Sequence, residues 1–226
     1  MRWPDPSSLP SDAGPPLPES FFTRDTRQVA RDLLGKILLS QAGGVIVGGR
    51  IVETEAYLGS DDAGSHAATK GLTKRNSVMF GPPAHAYVYF TYGNHHMLNV
   101  VTEADGIAGA VLIRAIEPLV GIDEMRRRRV GRPDQDLTNG PGKLAAALGL
   151  NLSDNGDRLG EGNLAVYVAQ EVASEEVAVS GRVGLSAGHE LPYRYFLEAS
   201  PYVSKGRTGP PKRRVRRIGS TRGGRK

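Results

Sequence analysis

The hydrophobic positions along this chain change period several times, and each change predicts an element. From Thr23, a candidate N-cap, Val29, Leu33, Leu34, Ile37 and Leu38 recur at helical spacing, which predicts a core helix weakened at Gly35. Val45 to Leu58 then alternates, with Gly48-Gly49 as a turn or bulge between a short strand and a longer one, the two being antiparallel neighbours. Gly59 to Asn76 is polar and reads as a long loop holding His66. The aromatic and β-branched run Ala86 to Tyr92 predicts a strong strand, with Tyr87 and Tyr89 on one face and Val88 and Phe90 on the other, before a turn at Gly93-Asn94. Further strands are predicted over Met97 to Thr102, Ala110 to Ile116, Asn163 to Ala169, Val177 to Val183 and Tyr193 to Leu197. Helices are predicted over Pro118 to Arg129 and after the loop Asn139-Gly-Pro-Gly-Lys143, with Pro141 in the first turn. The loop is not a nucleotide P-loop, because its glycine spacing is wrong and no Ser or Thr follows the lysine.

Two of these strands carry charge where charge is costly. In Arg50 to Tyr57, alternation puts Ile51, Glu53, Glu55 and Tyr57 on one side and Val52, Thr54 and Ala56 on the other. Arg114 sits among Val111, Leu112 and Ile113, and a guanidinium in such a strand needs a hydrogen-bonded anion. Glu53 and Glu55 are the available acids, so an Arg114 to Glu55 pair is expected. Tyr92, at the edge of a turn, is a candidate wedge, since exposing a large ring there is costly unless something packs on it.

Composition narrows the classes. With 226 residues, 39% of them hydrophobic, the chain can bury one core with tails; it has no cysteine for disulfides or thiolate metal sites, and no run of the roughly 18 apolar residues that a membrane span needs. This composition suits the cytoplasm. The net charge of +5 is unevenly placed: residues 205–226 hold ten Lys and Arg and no acid, leaving 19 basic against 24 acidic residues elsewhere. We read 205–226 as a disordered tail that contacts a polyanion, and residues 1–18, with six prolines, as extended, unpacked chain. The folded domain is then 19–204.

An acid on a strand, two aromatic strands, a loop histidine, a protruding tyrosine and a basic tail suit an enzyme that extrudes a base from a duplex, fills the gap, stacks on the base and acts at its sugar bond. For such chemistry a carboxylate deprotonates water for attack at C1′ and steadies the developing positive charge, and Glu55 fits that description.

Arg50-Ile-Val-Glu-Thr-Glu-Ala-Tyr57, Arg75-Asn76, Met79-Phe80, Tyr87-Val88-Tyr89, Tyr92-Gly93, Leu112-Ile113-Arg114-Ala115, Gly140-Pro-Gly-Lys-Leu144 and Arg182-Val183-Gly184 closely resemble the alkyladenine (3-methyladenine) DNA glycosylases, in unbroken order from about Leu33 to Ser204. The resemblance implies an α+β fold: a single mixed domain with a curved antiparallel sheet, flanking helices and a protruding hairpin inserted into the minor groove. It implies a metal-free, cofactor-free, monofunctional glycosylase. Its partner would be double-stranded DNA containing damaged purines (3-methyladenine, 7-methylguanine, hypoxanthine or ethenoadenine), and the protein a cytoplasmic, bacterial-type, nucleoid-associated monomer with no membrane contact. By motif position Glu55 resembles the water-activating base, helped by Arg114 and the Val183 carbonyl. Tyr57, His66 and Tyr89 resemble the base-holding pocket, lined by Leu112, and Asn99 the residue that obstructs the amino group of normal guanine. Tyr92 resembles the intercalating wedge, with Arg75 and Lys143 assigned to the DNA backbone.

Two other classes compete. A noncatalytic nucleic-acid-binding scaffold would use Glu55 and Arg114 as a structural ion pair. A sugar hydrolase would use Glu53 and Glu55, but neighbours at i and i+2 start about 7 Å apart and point together rather than flanking a bond. A metal site from His85, His95 and His96 is disfavoured because adjacent strand residues face opposite ways; these are assigned to surface or DNA contact.

Overall fold

The computed structural model describes residues 3, 9–91, 93–169, 171–206 and 208. Eight strands, β1 (Ile37–Ser40), β2 (Val47–Tyr57), β3 (Ala86–Thr91), β4 (His95–Val101), β5 (Ala110–Val120), β6 (Leu164–Tyr167), β7 (Val177–Ser180) and β8 (Arg194–Leu197), form one sheet in which every pairing is antiparallel. The helices are α1 (Glu19–Phe22), α2 (Thr26–Asp32), α3 (His66–Lys70), α4 (Ile122–Arg128) and α5 (Pro141–Leu148). The fold is the expected α+β type with a strongly curled sheet.

β2 is the hub. One edge pairs with β5 along its length; the other is shared, residues 47–50 pairing with β1 and residues 53–55 with β8. The predicted two strands are therefore one, and Gly48-Gly49 is a bulge within it. Glycine is required there by close approach: a Cβ on Gly49 would lie 1.8 Å from the Glu117 carbonyl oxygen. The same pairing draws Pro118 to Val120 into β5, so the expected helix over 118–129 starts only at Ile122, after Gly121 turns the chain at φ +67°.

The first predicted helix is also shorter. α2 is capped by Asp25, not Thr23, whose carboxylate accepts from the N–H groups of Arg27 and Gln28. It ends before Gly35, whose φ of +83° no other residue adopts cheaply, so Ile37 and Leu38 fall in a strand. Their apolar spacing matched a helix by coincidence.

The sheet has two unlike faces. α2 and α5 cover one, where Leu38, Val88, Leu98, Val111 and Ile113 meet Val29, Leu33, Leu144 and Leu148. Residues one position away in β3, β4 and β5 (Tyr87, Asn99 and Leu112) point to the other. β2 departs from strict alternation: register shifts at Ile51/Glu53 and Glu53/Thr54 let Ile51 join Ala56 in the helix-covered core, while Glu53, Glu55 and Tyr57 turn the opposite way.

Residues 9–17, predicted as unpacked, are extended but packed. The N–H groups of Gly14 and Leu17 donate to Val168 and Val166 at 2.7 and 2.8 Å, Leu9 is buried, and the Trp3 indole donates to the Gly160 carbonyl at 2.8 Å. β6 is the sheet's edge, and proline-rich extended chain can cover it with few donors of its own. The tail reading falls mainly on residues 207 and 209–226, outside the described residues, as does the wedge reading of Tyr92.

Candidate active site

Glu55 is fully buried, and its carboxylate is held on both oxygens. Oε1 accepts the Val183 backbone N–H at 2.7 Å; Oε2 accepts the Tyr57 hydroxyl at 2.8 Å and faces Nη1 of Arg114 at 3.2 Å. Three donors from three segments let a carboxylate remain in a dry site. The expected Arg114 to Glu55 pair is present. The resemblance assigns the Val183 carbonyl to the water; the bond from the Val183 N–H to Glu55 is a further contact beside that role.

Glu53 has a different environment. Its Oε1 accepts from Nε of both Arg114 and Arg194, each at 2.7 Å, and from the Ser204 hydroxyl at 2.9 Å, and its Oε2 accepts the Ser204 N–H at 2.7 Å. Burial alone would raise its pKa; the two guanidiniums and the Ser204 N–H outweigh burial and hold it below the usual carboxylate range. Glu53 is thus occupied by structural partners, which removes it as half of a catalytic carboxylate pair. It also takes Nε of Arg114, leaving Nη1 for Glu55 and Nη2 for Ser204 at 3.1 Å.

Tyr57, the partner of Glu55, also walls a cavity together with His66, Tyr87, Tyr89 and Asn99, with Met79, Ala110, Gly64 and Leu185 completing the lining; Glu55 reaches it through Tyr57 and is not itself a lining residue. His66 opens α3, placed by Ser65, whose hydroxyl accepts the Ala67 N–H. Its ring meets Tyr89 edge-on, centroids 4.8 Å apart, and its Nδ1 lies 3.0 Å from the Tyr87 hydroxyl. Burial, then Lys70 and Arg75, push the His66 pKa below its ordinary value, so the ring is neutral at physiological pH. Burial first, and next Glu55, push the Tyr57 hydroxyl well above the usual phenol range; burial pushes Tyr87 up to about 12. Both phenols remain protonated donors. Asn99 is buried and its amide donates to the Tyr87 carbonyl at 3.0 Å.

Of the predicted residues, Tyr57, His66, Tyr89 and Asn99 line this cavity, Glu55 joins it through Tyr57, and Arg114 and Val183 join through Glu55, with three qualifications. Leu112 pairs in register with Glu55 and Asn99 but is not among the cavity's lining residues. Arg75 lies over the Tyr89 ring at 5.6 Å and donates to the Phe90 carbonyl at 2.5 Å, and Lys143 pairs with Asp136 and Asn139 at the start of α5. Both already have intramolecular partners. Among the described residues, no cluster of three His, Cys, Asp or Glu side chains is close enough to hold a metal ion. His85 instead faces the Pro82 and Pro83 carbonyls and His96 packs on Phe90.

Sequence reasoning missed the groups that brace the site. Arg182 is fully buried, donates to both oxygens of Asp62 and to the Ala56 and Gly188 carbonyls, and lies over the rings of Tyr57 and Tyr193 at 4.7 and 5.3 Å. Asp62 also accepts the N–H groups of Leu58 and Gly64. With the two separated by 120 positions in the sequence, no local pattern announces this pair. Arg194 and Ser204 are likewise distant in sequence from Glu53.

Residues 20–201 match the family model for methylpurine-DNA glycosylase. Relatives named 3-methyladenine DNA glycosylase include one from Carboxydothermus hydrogenoformans, 50% identical over 191 residues (84% of this chain and 98% of that protein). One from Chlorobaculum parvum is 47% identical over 199 residues (88% and 95%), and one from Methanoculleus marisnigri is 47% identical over 192 residues (84% and 98%).

Proposed function

The chain belongs to the methylpurine-DNA glycosylase family, and we propose that it flips 3-methyladenine, 7-methylguanine, hypoxanthine or ethenoadenine out of duplex DNA and hydrolyses the N-glycosidic bond. As a DNA glycosylase it acts on DNA. The observation that carries it is a fully buried carboxylate, Glu55, joined by a hydrogen bond to Tyr57, the ring that walls the cavity.

In this mechanism the extruded base stacks among Tyr57, His66 and Tyr89, and Asn99 crowds the position of guanine's exocyclic amino group. Glu55 takes a proton from water as the water oxygen bonds to C1′. The C1′–N bond breaks with its electron pair going to the base while the carboxylate, negative until it takes the water's proton, steadies the oxocarbenium-like sugar; a cationic base leaves neutral, and a neutral base leaves as an anion that takes a proton from solvent. Arg114 orients Glu55 and, with the Val183 carbonyl, the water. A cationic alkylated base stacks well between electron-rich rings and is already a good leaving group, and neutral His66 does not repel it. The hairpin of β3 and β4 would enter the minor groove with Tyr92 filling the gap, and Arg75 and Lys143 would meet phosphates by exchanging their present partners. No amine takes part, so the product is an abasic site with an intact strand. The enzyme works as a monomer without a cofactor, on chromosomal DNA in the cytoplasm.

The test is to incubate the protein, with a chelator present, with duplexes bearing one defined lesion each. Abasic sites are expected at the lesion position, without strand cleavage and without added metal. Binding without base release from every duplex would instead favour a noncatalytic scaffold.

A further inference from the structure

Tyr57 contributes its ring to the cavity, yet the same ring carries the Arg182 guanidinium over it at 4.7 Å. Arg182 is fully buried and is not among the cavity's lining residues, so the cation stands behind the wall. An aromatic face attracts a cation through its quadrupole, and a positive charge behind the ring opposes that attraction for a second cation in front. The charge is not bare: both carboxylate oxygens of Asp62, itself 2% exposed, accept from Arg182, at 2.6 and 2.5 Å.

We propose that the Asp62–Arg182 pair sets the preference between cationic and neutral damaged bases, Asp62 masking the charge behind Tyr57 so that a cationic base can stack in front of it. This rests on the reading of Tyr57 as a base-stacking wall. Neither residue touches the base; each acts through the Tyr57 ring. A pair that served only as scaffold for the 59–64 loop would affect every lesion alike. A pair that tunes the charge behind the ring affects cationic bases and leaves neutral ones nearly untouched, because the contacts to DNA and to the sugar are common to both.

The signs of two substitutions are opposite. Asp62→Asn unmasks the guanidinium and weakens binding of a cationic base; Arg182→Met removes the cation, leaves the Asp62 carboxylate behind the ring and strengthens it. Arg182→Lys keeps the charge and serves as the conservative control. The effect is read in binding of the intact lesion; because the base loses its positive charge as it departs, the rate at saturation moves in the opposite sense.

The experiment compares duplexes containing 7-methylguanine, which is cationic, and hypoxanthine, which is neutral. The half-saturating protein concentration in single-turnover release is measured for each, or the dissociation constant where a duplex is bound and not cut. Relative to hypoxanthine, 7-methylguanine should bind about fivefold to tenfold more weakly in Asp62→Asn and more tightly in Arg182→Met, with Arg182→Lys near the parent. Equal losses for both lesions, or a ratio that moves the same way in both variants, would overturn the proposal. A parent protein that releases neither base would overturn the reading of function itself, which is a separate outcome.

Discussion

The Tyr57 hydroxyl donates to Oε2 of Glu55 at 2.8 Å, so the ring that walls the cavity and the carboxylate beside it form one hydrogen-bonded unit. Whatever settles against the ring also bears on the acid. Arg114 approaches the same oxygen at 3.2 Å, and Val183 holds the other.

Tyr57→Phe keeps the ring and removes one donor from the carboxylate. A hydrogen bond to a charged acceptor contributes roughly 1.5–3 kcal/mol, and losing it loosens the hold on the carboxylate that takes the proton from water. Single-turnover base release should fall by roughly tenfold or more while affinity for damaged duplex stays within about twofold. Rates and binding on one lesion-containing duplex check this, and a rate equal to the parent's would mean that the phenol has no influence on the acid.

Glu55→Gln keeps the shape and an acceptor for the Val183 N–H, and Arg114 retains Glu53 as its anion. The fold and binding to lesion-containing duplex should persist, while base release falls by about 10²–10⁴, the range for a positioned general base. Rates equal to the parent's would remove Glu55 from the chemistry.

Glu53→Gln withdraws the anion shared by Arg114 and Arg194. Leaving buried cations short of a partner costs about 3–5 kcal/mol, which lowers the melting temperature by roughly 10 °C in a domain of this size. The pH dependence follows from the depressed pKa of Glu53. The unfolded chain binds the proton more readily, so the stabilisation is full above the unfolded carboxylate value and is lost as pH falls through the folded one. Melts at pH 7 and pH 4 should show the variant losing less on acidification than the parent.

His66 gives a second pH signature. Its pKa is lowered chiefly by burial, so the unfolded chain takes up this proton first and folded stability drops as pH falls below about 6.5. Denaturant midpoints of the parent and of His66→Gln, compared between pH 7.5 and 5, should converge as the pH falls. A constant difference across that range would show that the imidazole titrates alike in both states.

The sequence made the site's inner ring legible because strand alternation is local: Glu55 with Tyr57, Tyr87 with Tyr89, and Arg114 inside an apolar strand can each be read from a few neighbouring residues. What it concealed is long-range. The Asp62–Arg182 pair, and the convergence of Arg194 and Ser204 on Glu53, depend on which strands β2 pairs with, and no short window contains that. Bulges hid the rest. The register shifts in β2 send Ile51 to the face opposite Glu53, and Gly48-Gly49 continues a strand where a turn was an equal reading.

The basic tail can be separated from the site only if it is cut at the right residue. Ser204 binds Glu53 through both its N–H and its hydroxyl, a Cβ on Gly206 would lie 2.4 Å from the Val183 side chain, and Thr208 bridges to Val183. Removing residues from 205 onward would therefore disturb the segment that packs on the donor to Glu55. Removing 209–226 takes away eight Lys and Arg and no acid while sparing these contacts. Each phosphate neutralised by a protein cation contributes about −0.9 to the slope of log affinity against log salt. Deleting 209–226 should then weaken binding to undamaged duplex and flatten that slope by several units, up to about 7 if all eight cations meet phosphates, while single-turnover base release at saturating protein is unchanged. Titrations from 50 to 200 mM salt measure the slope. If it stays where the parent's lies, DNA is held by the folded domain alone, and the tail's charge serves some other contact.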